Sequence, residues 1–233
     1  MPQSFGPVPV ASQSQARPSL KLAVFDLDGT LKEAYSPWRY LHQALGVEDR
    51  AAVYRERFFQ GEIDYLEWAR LDAALWTGVE LARVEAIFQE SCYRPGVRAL
   101  FALLQHYHVL VAIVSTGLDV QARQVAAELG IWRVVTNELV VQDGLLTGEA
   151  RIWVTEQTKG EAMARLRQEA GALPEECLAM GDSQADVQLF AQASLAVAIC
   201  PRDEQVRQAA HVVIEDGDLS PVVLLVKEHF RLG

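Results

Sequence analysis

Between Arg94 and Ile199, short apolar runs of strand length alternate with helix-length segments, and this restricts the possible folds more than any other feature of the chain. His108 to Val114 reads as a strand, Asp119 to Leu129 as a helix stopped at Gly130, and Trp132 to Thr136 as a strand. Lys159 to Ala170 reads as a helix, Leu178 to Met180 as a short strand, Asp186 to Ala193 as a helix and Leu195 to Ile199 as a strand. Strands apolar throughout are buried on both faces, and strand-helix units in series wind over a parallel sheet. The expected fold class is therefore α/β, a Rossmann-like doubly wound parallel sheet. Leu20 to Phe25 adds one more buried strand, and Asp143-Gly144 between apolar arms, within Glu138 to Gly148, predicts a β-hairpin.

From about Ser36 to Cys92 the pattern changes to amphipathic helices rich in aromatic residues, without convincing strands. The implied organisation is a disordered leader over 1–18, an α/β core over 19–33 and 94–233, and a helical insertion over 34–93. A chain of 233 residues, 50% hydrophobic and 22% charged, is long enough for such a core plus a small insertion. The formal net charge of −10 argues against nucleic-acid or anionic-membrane partners, and means that an anionic substrate needs locally concentrated positive charge. No apolar run approaches the roughly 20 residues of a membrane span, so the expected location is cytoplasmic. Cys92, Cys177 and Cys200 are scattered without paired metal-ligand spacing and are expected to be reduced core residues.

The chemistry concentrates where strands end. Phe25-Asp26-Leu27-Asp28-Gly29-Thr30-Leu31 sets two carboxylates side by side at the end of the first strand, the rim where open α/β sheets bind ligands. Asp-Gly is common in solvated turns, but two buried like charges cost several kcal/mol unless a cation neutralises them. Hard, oxygen-seeking Mg²⁺ is the natural candidate. Ser115-Thr116-Gly117 places hydroxyls and a close-approach glycine at the end of another strand, where turn N–H groups can hold a phosphate. Lys159 opens a helix where its ammonium can neutralise a phosphoryl oxygen. Met180-Gly181-Asp182 ends a third strand in a potential metal ligand, and Asp186, four residues on, caps a helix or orients Lys159.

Taken in order, these elements resemble the haloacid dehalogenase-like hydrolase superfamily over about residues 20 to 215. Asp26-Leu27-Asp28-Gly29-Thr30 matches its first motif, Ser115 its second, Lys159 its third, and Gly181-Asp182 with Asp186 its fourth. The insertion and the Asn137-Glu138-Leu139…Gly148 hairpin look most like the phosphoserine phosphatase-type branch. The resemblance implies a small helical cap and a β-hairpin flap over the site, with Asp26 as nucleophile forming an aspartyl-phosphate and Asp28 as general acid and base. It implies Mg²⁺ held by Asp26, the Asp28 backbone carbonyl and Asp182. It further implies a phosphate cradle of Ser115, Thr116, Gly117 and Lys159, supported by Thr30 and Asp186. The expected partner is a small phosphorylated metabolite; the oligomeric state is left open. Asp28 favours phosphoryl transfer, because dehalogenating relatives lack it.

The match departs at substrate-reading positions. Where phosphoserine phosphatases carry a Glu and an Arg for the substrate's amino and carboxylate groups, this chain has Tyr35 and a place close to Asp72, and the usual Asn of the fourth motif is Ala185. Phosphoserine specificity is thereby in question. A cap with Tyr35, Trp38, Trp68, Asp72 and Trp76 suits an uncharged or cationic head group resting on aromatic faces, unless those rings are core. Arg39, Arg55 and Arg70 are candidates for an anionic tail. The alternatives with the same site are a phosphotransferase or mutase and a non-catalytic binding protein. A receiver-type signalling domain also gathers Asp, Mg²⁺ and Lys, but without a helical insertion.

Overall fold

The computed structural model describes residues 19–233, so the leader expected over 1–18 lies outside the described residues. A seven-stranded sheet runs through the molecule in the order β4-β3-β2-β1-β5-β6-β7. Its strands are β1 (Leu22–Phe25), β2 (Leu110–Leu118), β3 (Arg133–Gln142), β4 (Leu145–Arg151), β5 (Cys177–Gly181), β6 (Leu195–Ile199) and β7 (Val212–Ile214). Every pairing is parallel except β3 with the edge strand β4. The doubly wound α/β expectation is borne out.

Helices α5 (Val97–His106), α6 (Asp119–Leu129), α7 (Lys159–Ala170), α8 (Val187–Phe190), α9 (Glu204–Ala209) and α10 (Ser220–Phe230) cover the two faces. β1 is buried at every residue, and alternation divides its side chains. Ala23 and Phe25 join a core with Leu100, Ile113 and Met180; Leu22 and Val24 join another with Val114, Met163 and Ala179. Fully burying such apolar side chains stabilises by about 1.5–3 kcal/mol each, so the central strand is strongly fixed.

Between β1 and α5 lie α1 (Pro37–Ala44), α2 (Glu48–Phe59), α3 (Tyr65–Ala74) and α4 (Leu81–Gln89). Their starts follow local chemistry: Ser36 accepts from the Arg39 N–H with Pro37 at the first helical position, and Asp64 caps α3 through the Glu67 N–H at 2.8 Å. Leu41, Trp76, Val84 and Phe88 from this segment share a third apolar cluster with Leu118, Leu139 and Leu146, which ties the helices to the β3-β4 hairpin. The hairpin turn is as expected, with Asp143 and Gly144 both at positive φ (52° and 79°), the signature of a type I′ turn.

Several expectations are corrected. Trp132 to Thr136 and the first hairpin arm form one continuous strand, β3. Asn137 in its middle holds it, donating to the Thr116 carbonyl at 2.9 Å and accepting from the Trp153 and Val154 N–H groups at 2.8 and 2.9 Å. The helix expected over Asp186 to Ala193 is a 3₁₀ turn, Gln184–Asp186, followed by the short α8, because the Asp186 carboxylate is engaged by the chain around it. Only Cys177 is a buried cysteine; Cys200 is half-buried and Cys92 is exposed in the connection to α5. No helix among the described residues is long and apolar enough to cross a membrane.

Candidate active site

The winding order of the sheet reverses at β1: β2 and β3 are laid down on one side of it, β5 to β7 on the other. In open α/β sheets such a switch point opens a crevice beyond the carboxyl ends of the strands. Phe25 is in register with Ile113 and with Met180, so the end of β1 is level with these two positions, although β2 itself runs on to Leu118. Asp26, Ser115 and Asp182 follow within two residues of those positions and all line one cleft of about 340 Å³. Asp28, Thr116 and Lys159 line it too.

Lys159 is the hub. Its ammonium is almost wholly buried and donates to Asp26 Oδ1 at 2.6 Å and to Asp186 Oδ1 at 2.7 Å. Burial alone would lower its pKa, but the carboxylates of Asp186 and Asp26 outweigh burial and raise it, so the group stays charged. The other oxygen of Asp186 accepts from the Asp182 N–H, the Ser183 N–H and the Ser183 hydroxyl, at 3.1, 3.0 and 2.9 Å. Both Asp186 oxygens are thus committed: it anchors Lys159 and shapes the turn carrying Asp182.

Asp26 and Asp28 share a side-chain type and sit in different surroundings. Asp26 has Lys159 on one oxygen and the Thr30 hydroxyl, at 3.3 Å, on the other. Burial pushes its pKa up, Lys159 pulls it back, and the result is about 6. Asp28 accepts from the Ser115 hydroxyl on Oδ2 at 3.1 Å, while its buried Oδ1 has no partner. Burial first, then the neighbouring Asp26 charge, raise it well above the usual carboxylate range. Environments that push two carboxyls apart in this way separate a group disposed to be ionised from one disposed to carry a proton. Ser115 in turn accepts from the Gly117 N–H at 2.9 Å, and a side chain at Gly117 would collide with Asp28 Oδ2. The Thr116 carbonyl is held by Asn137 and, at 3.3 Å, by the indole N–H of Trp38.

The donors suit a hard divalent cation. Carboxylate oxygens of Asp26, Asp182 and Asp186 lie within 4.8 Å of one another. Asp186 is already satisfied, whereas the Asp182 carboxylate takes no hydrogen bond or ion pair among the described residues, and burial followed by the Asp26 charge pushes its pKa to about 9. Buried, all-oxygen and rich in negative charge, this set matches the preference of Mg²⁺. The carboxylate of Asp28 lies outside the cluster, so its assignment as a ligand rests on its backbone carbonyl.

Gly29 makes the arrangement possible: it has φ +85°, and a Cβ there would meet Asp182 Oδ2. Gly29→Ala should therefore cost about 1–2 kcal/mol for the left-handed conformation alone, read by denaturant titration, in addition to displacing Asp182. Arg94, read in the sequence only as part of the approach to α5, is buried and donates to the Gly29 carbonyl at 2.8 Å, pinning this turn across the molecule. Arg202 also escaped notice; it lines the cleft with its guanidinium 3.6 Å over the ring of Tyr35. Its place just past the carboxyl end of β6 was the available signal. Arg70, by contrast, is paired with Glu67 on the surface and lines neither this cleft nor the cavity beside it.

The haloacid dehalogenase-like hydrolase family model matches residues 23–191. Among curated relatives, the phosphoserine phosphatase of Halobacterium salinarum is 33% identical over 185 residues, covering 78% of this chain and 87% of that protein. That of Methanocaldococcus jannaschii is 27% identical over 208 residues, covering 89% and 98%. A solved phosphoserine phosphatase carrying an analogue of a phospho-aspartyl intermediate superposes with a TM-score of 0.76 at 25% identity, over 89% of this chain and 99% of that one. A family hydrolase from Salmonella enterica shares the fold with a TM-score of 0.82 at 19% identity, over 92% of this chain and 74% of that one. This chain is therefore a phosphatase of the haloacid dehalogenase-like hydrolase family, in its phosphoserine phosphatase-like branch.

Proposed function

We propose that the protein is a Mg²⁺-dependent phosphomonoesterase acting on a small phosphorylated metabolite, with Asp26 as the phosphoryl acceptor. The observation that carries this reading is the single cleft in which Lys159 grips Asp26 while Asp28, held by Ser115, keeps an unpartnered oxygen. Residues 34–93, with α1 to α4, serve as the cap, residues 19–33 and 94–233 as the catalytic core, and the β3-β4 hairpin as a flap against the cap.

An Asp26 oxygen attacks phosphorus in line and displaces the alcohol, so the P–O bond to the substrate breaks as the bond to Asp26 forms. Asp28 gives its proton to the departing oxygen, then takes one from the water that opens the aspartyl-phosphate. Such acid-base help is worth roughly 10²–10⁴-fold. Ser115, the Thr116-Gly117 backbone and Lys159 hold the phosphoryl oxygens, and Thr30 keeps Asp26 oriented. Asp26, the Asp28 carbonyl and Asp182 would hold Mg²⁺. When bound, the ion supplies charge neutralisation that lets an anionic phosphate approach an anionic nucleophile.

EDTA should silence hydrolysis of p-nitrophenyl phosphate and added Mg²⁺ should restore it; turnover that persists without metal would refute the reading. The same ion should raise the thermal transition by binding the folded state alone, and Asp182→Asn should lose that rise. Product analysis with competing alcohols distinguishes hydrolysis from phosphotransfer to another acceptor.

A further inference from the structure

A second cavity of about 340 Å³ lies among the helices of residues 34–93 and adjoins the catalytic cleft, with Ser36, Trp38, Tyr65, Trp68 and Arg202 lining both. Trp38, Phe59, Tyr65 and Trp68 give it aromatic walls, Arg39, Arg55 and Arg202 line it as well, and Ala51 and Ala69 leave the space open. Its lining holds one carboxylate. Asp72 is only 4% exposed, and its Oδ1 is buried without a hydrogen-bond partner.

The neighbours of Asp72 supply only part of the missing positive charge: burial raises its carboxyl above the ordinary range, and His42 and Arg55 offset this only in part. His42 Nε2 stands 3.2 Å from Oδ2 without the alignment of a hydrogen bond. The other ring nitrogen, Nδ1, receives the indole N–H of Trp76 at 3.1 Å. An indole nitrogen only donates, so Nδ1 accepts and the ring proton is on Nε2, which faces Asp72 Oδ2 and leaves Oδ1 without a donor. The guanidiniums that line the cavity have other partners: Arg39 and Arg55 both bond Glu48 Oε1, at 3.0 and 3.2 Å, and Arg202 lies over the ring of Tyr35. A buried carboxylate with an empty acceptor, set among aromatic rings, is the combination that recognises an organic cation.

We propose that this cavity takes the alcohol portion of the substrate and selects one ending in an N–H-bearing cation, an ammonium or a protonated nitrogen ring, which donates to Asp72 Oδ1. The proposal rests on the phosphatase reading and narrows it to a substrate class. Asp72 is a specificity-determining residue here, and His42 with Trp76 positions it.

The test compares kcat/KM for para-(aminomethyl)benzyl phosphate and para-ethylbenzyl phosphate, esters of matched shape that differ in the ammonium. The wild type should favour the ammonium ester by roughly tenfold or more, chiefly through KM, and Asp72→Asn should bring the two to near parity. Equal values in the wild type, or a preference that survives the substitution, would overturn the assignment; turnover of either ester leaves the phosphatase reading standing. The wild-type comparison needs no variant, so it decides even if Asp72→Asn misfolds. Should neither ester turn over, tryptophan fluorescence still decides: para-ethylbenzylamine must bind more tightly than para-ethylbenzyl alcohol, and equal binding overturns the proposal.

Discussion

Asp26→Asn will reduce turnover of p-nitrophenyl phosphate by on the order of 10⁴-fold or more, while the thermal transition moves little. The amide matches the carboxylate in shape but is a poor nucleophile, so the covalent step has no acceptor. Little else depends on the charge. The Asp26 N–H still bonds the Met180 carbonyl at 2.9 Å, and Lys159 still has Asp186. Losing one negative charge also relieves repulsion on Asp28 and Asp182, which offsets the weakened ion pair. Steady-state kinetics with calorimetry on the same preparation checks both halves, and substantial retained turnover would exclude Asp26.

Lys159→Met is expected to damage stability as well as activity. The ammonium is buried and bridges two buried carboxylates, so removing it leaves Asp26 and Asp186 without a cation in a cleft that also holds Asp28 and Asp182. Breaking a buried ion pair by deleting one partner costs about 3–5 kcal/mol. For a chain of this size that lowers the thermal midpoint by roughly 10 °C. Mg²⁺ should recover part of the loss, because it neutralises some of the same oxygens, while leaving activity low. A midpoint within a degree or two of wild type would show that Lys159 is not the charge on which the site depends.

The sequence was most informative where local chemistry decides the structure. The run before Asp26 reads as a buried strand because it is short and mostly apolar, with Lys21 its one polar residue, and Asp143-Gly144 forces a hairpin by its need for positive φ. Lys159 is different: a lysine at a helix start has no local mark of burial, and only its order among the other motifs singles it out. What stayed hidden is set by long-range contact. Nothing near Arg94 announces a bond to the Gly29 carbonyl, nor does anything near Asp72 announce burial beside His42. Asn137 reads as a strand end because it is polar, and its partners on two other segments are what make β3 continuous. β7 is a three-residue edge strand, too short to show a period.

The central claim is that phosphorus passes through a covalent bond to Asp26. Its most direct test is the stereochemistry of transfer from a phosphomonoester made chiral at phosphorus with oxygen isotopes, using an alcohol acceptor so that the product can be read. Two in-line displacements, first by Asp26 and then by the acceptor, predict net retention of configuration. Net inversion would mean a single direct displacement and would contradict the account.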